Sequence, residues 1–135
     1  DRAMYNIAGV DFNMKWDKFY VQRDYEKEKY VMNEVYGISL DEKYIFIHDD
    51  KKRGYRINFK SDMPVIRPVV EFGVFDFLSI IENAFQVHCM DSCFLNMIDC
   101  MGLKNDNLFF HKYIRIQQNT ENGTPVLKQN WEVIK

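Results

Sequence analysis

The chain has 135 residues, 47% hydrophobic and 28% charged, a balance that fits one globular domain and excludes a disordered chain. A formal net charge of -2 argues against non-specific nucleic-acid binding, which draws on a basic surface. Apolar runs are only a few residues long, far short of the roughly 20 that span a bilayer, and no signal peptide is visible.

Residues 1–15 carry no clear period. From Asp17 to Tyr36, the residues Trp16, Phe19, Arg23, Lys27, Val31 and Val35 recur at helical spacing, and Gly37 supplies a stop. Arg23 and Lys27 interrupt this stripe. Long stems snorkelling over apolar surface explain them, and a functional role for Arg23 is the alternative. Tyr44–Ile47 is a continuous apolar run, which suits a strand buried on both faces, and His48-Asp49-Asp50 marks its carboxyl end. Lys51 to Arg56 forms a basic turn. Val65–Val70 reads as a second, short strand, with Pro68 at its edge or end. No good helix lies between these strands, so 51–64 reads as a long loop or a short hairpin. Phe75–Ala84 reads as a helix with Phe75, Leu78 and Ile81 turned inward. Phe85–Met90 follows as a strand. Asp91 or Ser92 then caps a helix over Cys93–Met101 that stops at Gly102. Leu108–His111 is a further strand, 119–125 a turn, and the C-terminal segment has no clear reading.

This alternation predicts a single α/β domain over residues 1–135, a Rossmann-like three-layer sandwich with a mostly parallel sheet. Right-handed crossovers place helices on its faces. Tyr44–Ile47, Gln86–Met90 and Leu108–Phe110 are expected as neighbouring parallel strands.

In an open parallel sheet, ligands bind beyond the carboxyl ends of the strands. Two polar clusters fall there: His48, Asp49 and Asp50 with Arg53 and Arg56, and Asp91-Ser92 at a helix N-terminus. The second offers backbone N–H groups and a positive dipole end, which suit phosphate. Arg53 and Arg56 can add bidentate phosphate contacts, and His48 with Asp49 can move protons. Plain capping and turn formation are the alternatives. An alternative reading makes Asp49-Asp50 a divalent-cation site, and His88, Cys89, Cys93, Cys100 and His111 a zinc site, although no CxxC pair is present. Cys93 at a helix start is a candidate nucleophile. Neither G-x-G-x-x-G nor a Walker A loop occurs. Three cysteines, an odd number, favour a reducing, cytoplasmic setting with buried thiols and neither disulfide nor metal.

Taken in order, Tyr44 to Asp50, Arg53-Gly54, Phe75-Asp76-Phe77, Ile81 to Ala84 and His88 to Phe94 resemble the donor-binding half of a GT-B glycosyltransferase, of the fucosyltransferase-like kind. The resemblance spans about residues 12–112. It implies that His48 matches the histidine of the donor loop and that Arg53 or Arg56 is the diphosphate-binding arginine. It sets Asp76 near the nucleotide base and Asp91, Ser92 and Cys93 in the phosphate-contacting turn. Asp50 falls in the same donor-binding loop. The sequence departs from the family where the two residues after His48 are acidic rather than basic, and where Cys93 replaces the second Ser of a Ser-Ser pair. The implied partners are a nucleotide-sugar donor, a glycan-type acceptor and an N-terminal acceptor domain of the same chain, with no cofactor, no metal and no nucleic acid. The start at Asp1 rather than Met fits a C-terminal piece of a longer protein. The rival readings are a non-catalytic α/β binding or assembly module and a metal-dependent phosphoester hydrolase built on His48, Asp49 and Asp50.

Overall fold

The computed structural model describes residues 2–118 and 125–135, except for the side chains of 116–118. The expected turn at 119–125 lies, apart from Pro125, outside the described residues. Five strands, β1 (Ile45–His48), β2 (Val65–Ile66), β3 (Gln86–Cys89), β4 (Leu108–His111) and β5 (Trp131–Ile134), form one sheet in the order β2-β1-β3-β4-β5. Every neighbouring pair is parallel. The fold is an α/β Rossmann-like sandwich, and the three expected strands are neighbours. β5 comes from the C-terminal segment that lacked a sequence signal.

Alternation along the strands divides the core. Phe46, Val87, Cys89, Leu108 and Phe110 meet the helices on one face, while Ile45 and Ile47 face the other way onto Ile57, Phe59, Met63 and Ile114. The chain steps from β1 to β2 in one direction and afterwards moves across the sheet in the opposite one. Right-handed crossovers therefore put the β1–β2 connection on the face opposite the helices. There it forms a 3-10 turn (Lys51–Arg53) and then irregular chain. Tyr55, Ile57 and Phe59 alternate with Arg56, Asn58 and Lys60, a period of two that lays extended chain on the sheet. The third layer is thus built of loop rather than helix.

The helix expected over 17–36 is broken. α1 (Arg2–Ile7) and α2 (Met14–Asp17) precede non-helical residues 18–24, and α3 (Tyr25–Tyr30) continues as a π-helical turn (Val31–Val35). The break follows from Asp24, whose carboxylate accepts the Lys27 N–H at 3.0 Å and caps α3. Arg23 neither snorkels nor joins the cleft. Its guanidinium donates to Glu28, almost fully buried, at 2.5 Å and to Glu82 at 2.8 Å, and lies over the Tyr25 ring. These partners raise the Arg23 pKa further. Lys27 pairs with Asp76 at 2.9 Å.

α4 (Leu78–Asn83) begins with a 3-10 turn (Val74–Phe77), whose tighter winding turns Phe77 inward and leaves Phe75 exposed, against expectation. β2 stops before Pro68, which has no N–H for a ladder. α5 (Cys93–Met101) matches the expected helix residue for residue and ends at Gly102 in the left-handed conformation. The three cysteines are free thiols. Cys89 and Cys100 are buried, but Cys93 is exposed because it opens α5 at the sheet edge. Among the described residues no helix is long and apolar enough to cross a membrane.

Candidate functional site

The strand order reverses between β1 and β3, so their carboxyl ends frame a crevice that no crossover fills. His48 ends β1 in register with Cys89 of β3, and the Met90 N–H donates to the His48 carbonyl at 3.2 Å. That pairing brings the loop after β3 level with His48. Ser92, the N-cap of α5, then sets its Oγ 2.9 Å from His48 Nδ1, while also accepting the Leu95 N–H at 3.4 Å. The imidazole rests on the Phe94 ring, with centroids 4.3 Å apart. Burial lowers the His48 pKa to about 4; Asp49 and Asp50 oppose this and Arg115 adds to it. The ring is therefore neutral near pH 7. A Ser92 hydroxyl that donates to Nδ1 leaves the ring proton on Nε2, and one that accepts from Nδ1 leaves Nε2 as the free acceptor.

A cavity of about 390 Å³ opens beside His48. Asp49, Asp50, Lys52 and Arg53 supply its polar side. Val69, Val70 and Phe72 form one apolar wall, and Val74, Phe77 and Phe94 another. In the first turn of α5 the Cys93 and Phe94 amides have no protein acceptor among the described residues.

The residues singled out in sequence separate here. His48, Asp49, Asp50 and Arg53 share the cavity, and Ser92 joins them through His48. Asp91 and Cys93 flank Ser92 on the same rim. Asp49 is committed elsewhere: its carboxylate accepts the Ile57 N–H at 3.0 Å and pairs with Arg67 at 3.2 Å, and only 4% of its side chain is exposed. Asp50 caps the basic turn by accepting the Arg53 N–H at 3.2 Å, and Gly54, at φ 80°, closes that turn. Arg53 leans on Asp50 at 3.5 Å yet leaves 70% of its side chain in solvent. Arg56 is exposed and does not line the cavity. Asp76 is also outside it, because its carboxylate accepts the Gly73 N–H at 2.8 Å and pairs with Lys27.

Burial raises the pKa of the Asp91 carboxyl, while Arg115 and Lys15 pull it down. Lys52, Arg67 and Arg115 were not picked out in sequence. Lys52 sat in the basic turn. Arg115 had a topological signal, since in a parallel sheet the segment after β4 emerges on the same edge as His48 and Ser92.

The metal readings find no support in this geometry. His88 points to the loop-covered face, onto Phe59, whereas Cys89 packs on the helical face. Among the described residues no three His, Cys, Asp or Glu side chains gather in a group that could hold a metal ion. No protein-family model, curated protein or solved structure matches the chain.

Proposed function

We propose that this chain binds the nucleotide-sugar donor of a GT-B-type, fucosyltransferase-like glycosyltransferase. The observation that carries the reading is the His48–Ser92 hydrogen bond at the reversal point of the sheet, which joins the basic turn to the open first turn of α5. Lys52 and Arg53 on one side and the Cys93 and Phe94 amides on the other supply donors suited to a diphosphate. The apolar walls suit the flat base and ribose of a nucleotide. Charge accumulates on the diphosphate as the glycosidic bond breaks, and fixed donors stabilise it without a metal. His48, neutral at pH 7, serves as a proton acceptor or as a donor to the phosphate. A glycan-type acceptor would be presented by a preceding domain of the same chain. Three unpaired thiols favour a reducing, cytoplasmic compartment.

One observation favours a non-catalytic binding module instead: Asp49, Asp50 and Asp76 are all engaged in caps and ion pairs. Calorimetric titration with nucleoside diphosphates separates the two readings. The donor reading expects saturable binding that weakens roughly tenfold in Arg53→Ala, the low end for a charged hydrogen bond on so exposed a side chain. Absence of binding by the unaltered protein overturns it.

A further inference from the structure

Arg115 lies beyond β4 at a kink in the 3-10 segment Lys112–Gln118. Its Nη1 donates to the Asp91 carbonyl at 3.0 Å, immediately before the cap of α5. The guanidinium lies over the Tyr55 ring, 5.2 Å from its centroid. Its Nε is buried and, among the described residues, has no hydrogen-bond partner. Among the described residues no carboxylate lies within ion-pair distance of it, and its field reaches both His48 and the Asp91 carboxyl. A part-buried guanidinium with a spare donor costs free energy unless an anion answers it. Two other partly buried arginines are answered by carboxylates, Arg23 by Glu28 and Arg67 by Asp49.

We propose that Arg115 binds the phosphate group that docks on the first turn of α5. The inference rests on the reading of this edge as a diphosphate site. It adds a cation from the segment after β4, held against Tyr55 at the end of the basic turn. Lys52 and Arg53 approach from the loop after β1, the Cys93 and Phe94 amides from α5, and Arg115 from the segment after β4. A planar guanidinium offers two parallel donors to phosphate oxygens, which a lysine cannot reproduce. Asp91 and Asp50 are opposing charges at this site; the Lys15 and Arg115 cations offset Asp91, and Arg53 lies beside Asp50.

The test is calorimetric titration of the full chain and of Arg115→Gln and Arg115→Lys with pyrophosphate, with a panel of nucleoside diphosphates and with the unphosphorylated nucleosides. Thermal melts serve as the check on folding. Arg115→Gln is expected to weaken pyrophosphate and nucleoside diphosphates alike by tenfold or more, and Arg115→Lys to retain an intermediate affinity. Nucleoside binding should be unaffected. Unchanged pyrophosphate affinity in both variants overturns the role of Arg115 even where nucleoside diphosphates bind, and leaves the donor reading intact. If Arg115→Gln does not fold, Arg115→Lys decides by the same criterion. Pyrophosphate binding that depends on Arg115, without any nucleoside diphosphate binding, upholds the inference and overturns the donor reading. Binding of neither overturns both.

Discussion

His88 Nδ1 lies 2.8 Å from His111 Nε2, and both rings are buried on the loop-covered face of the sheet. The pair belongs to a chain of polar groups. His88 Nε2 meets Gln86 Oε1 at 3.3 Å, and His111 Nδ1 meets the Tyr113 hydroxyl at 3.3 Å. Since the Gln86 carbonyl oxygen only accepts, His88 carries its proton on Nε2 and accepts at Nδ1. His111 then donates from Nε2 and accepts from Tyr113. The Phe59 and Phe109 rings pack against His88. A proton added to His88 Nδ1 would face the His111 N–H.

Acid should therefore weaken the fold. Burial lowers the His88 pKa to about 4 and lowers that of His111. The unfolded chain takes up protons near pH 6.5, so the native state binds fewer and loses stability as pH falls. Stability should be level above about pH 7 and drop between 6.5 and 4, with His88 contributing roughly 3 kcal/mol across that window. Urea midpoints measured against pH check this, and His88→Gln should make the profile shallower, the remaining slope coming from His48 and His111, whose pKa values burial also lowers. An unchanged slope in that variant contradicts it.

Asp99 is a buried carboxylate that gathers four donors: the Trp16 indole at 2.7 Å, the Trp131 indole at 3.1 Å, and the Lys128 and Gln129 amides at 2.9 Å each. It joins the N-terminal segment to the approach to β5. Asp99→Ala should cost about 3–4 kcal/mol, because the donors are left unsatisfied together. The chain has only two tryptophans, and both touch this carboxylate, so the loss should also shift the fluorescence maximum. A variant with native spectrum and stability would contradict the assignment.

Asp49→Asn tests whether the first residue of the acidic pair holds the fold or transfers protons. Loss of the Arg67 pair and of its charge should lower stability by about 1–3 kcal/mol, discounted because Arg67 is partly exposed. Nucleoside diphosphate affinity should change less than twofold. A large loss of binding with unchanged stability would return Asp49 to the site.

Ser92→Ala should cost about 1 kcal/mol through loss of the α5 cap. It also removes the partner of His48 Nδ1, and nitrogen chemical shifts of the His48 ring report that change. An unaltered His48 signal would contradict the contact.

The fold was legible where the pattern was local and strong. β1, β3 and β4 announce themselves as short apolar runs, and α5 by its Ser92 cap and Gly102 stop. β5 was hidden because Trp131-Glu132-Val133-Ile134 at the sheet edge carries too short a pattern to stand apart. The helix over 17–36 failed because Arg23 and Lys27 keep helical spacing while their partners, Glu28, Glu82 and Asp76, lie mostly far along the chain. In the site, topology placed His48 and Ser92 together. It could not tell that Asp49 and Asp76 would be drawn off by Arg67, Lys27 and a backbone amide, since a sequence does not say which carboxylate faces inward.

β2 is tied to β1 by two register pairs only, Ile45 with Val65 and Phe46 with Ile66, whereas β1 and β3 share four. The apolar wall of Val69, Val70 and Phe72 hangs from that short splice, and the His48–Ser92 side belongs to the best-paired part of the sheet. The cleft is mechanically lopsided, an anvil faced by a compliant jaw. Amides of residues 69–72 should exchange with solvent well before those of 87–90, and a ligand wider than the resting gap can be admitted by moving one side alone.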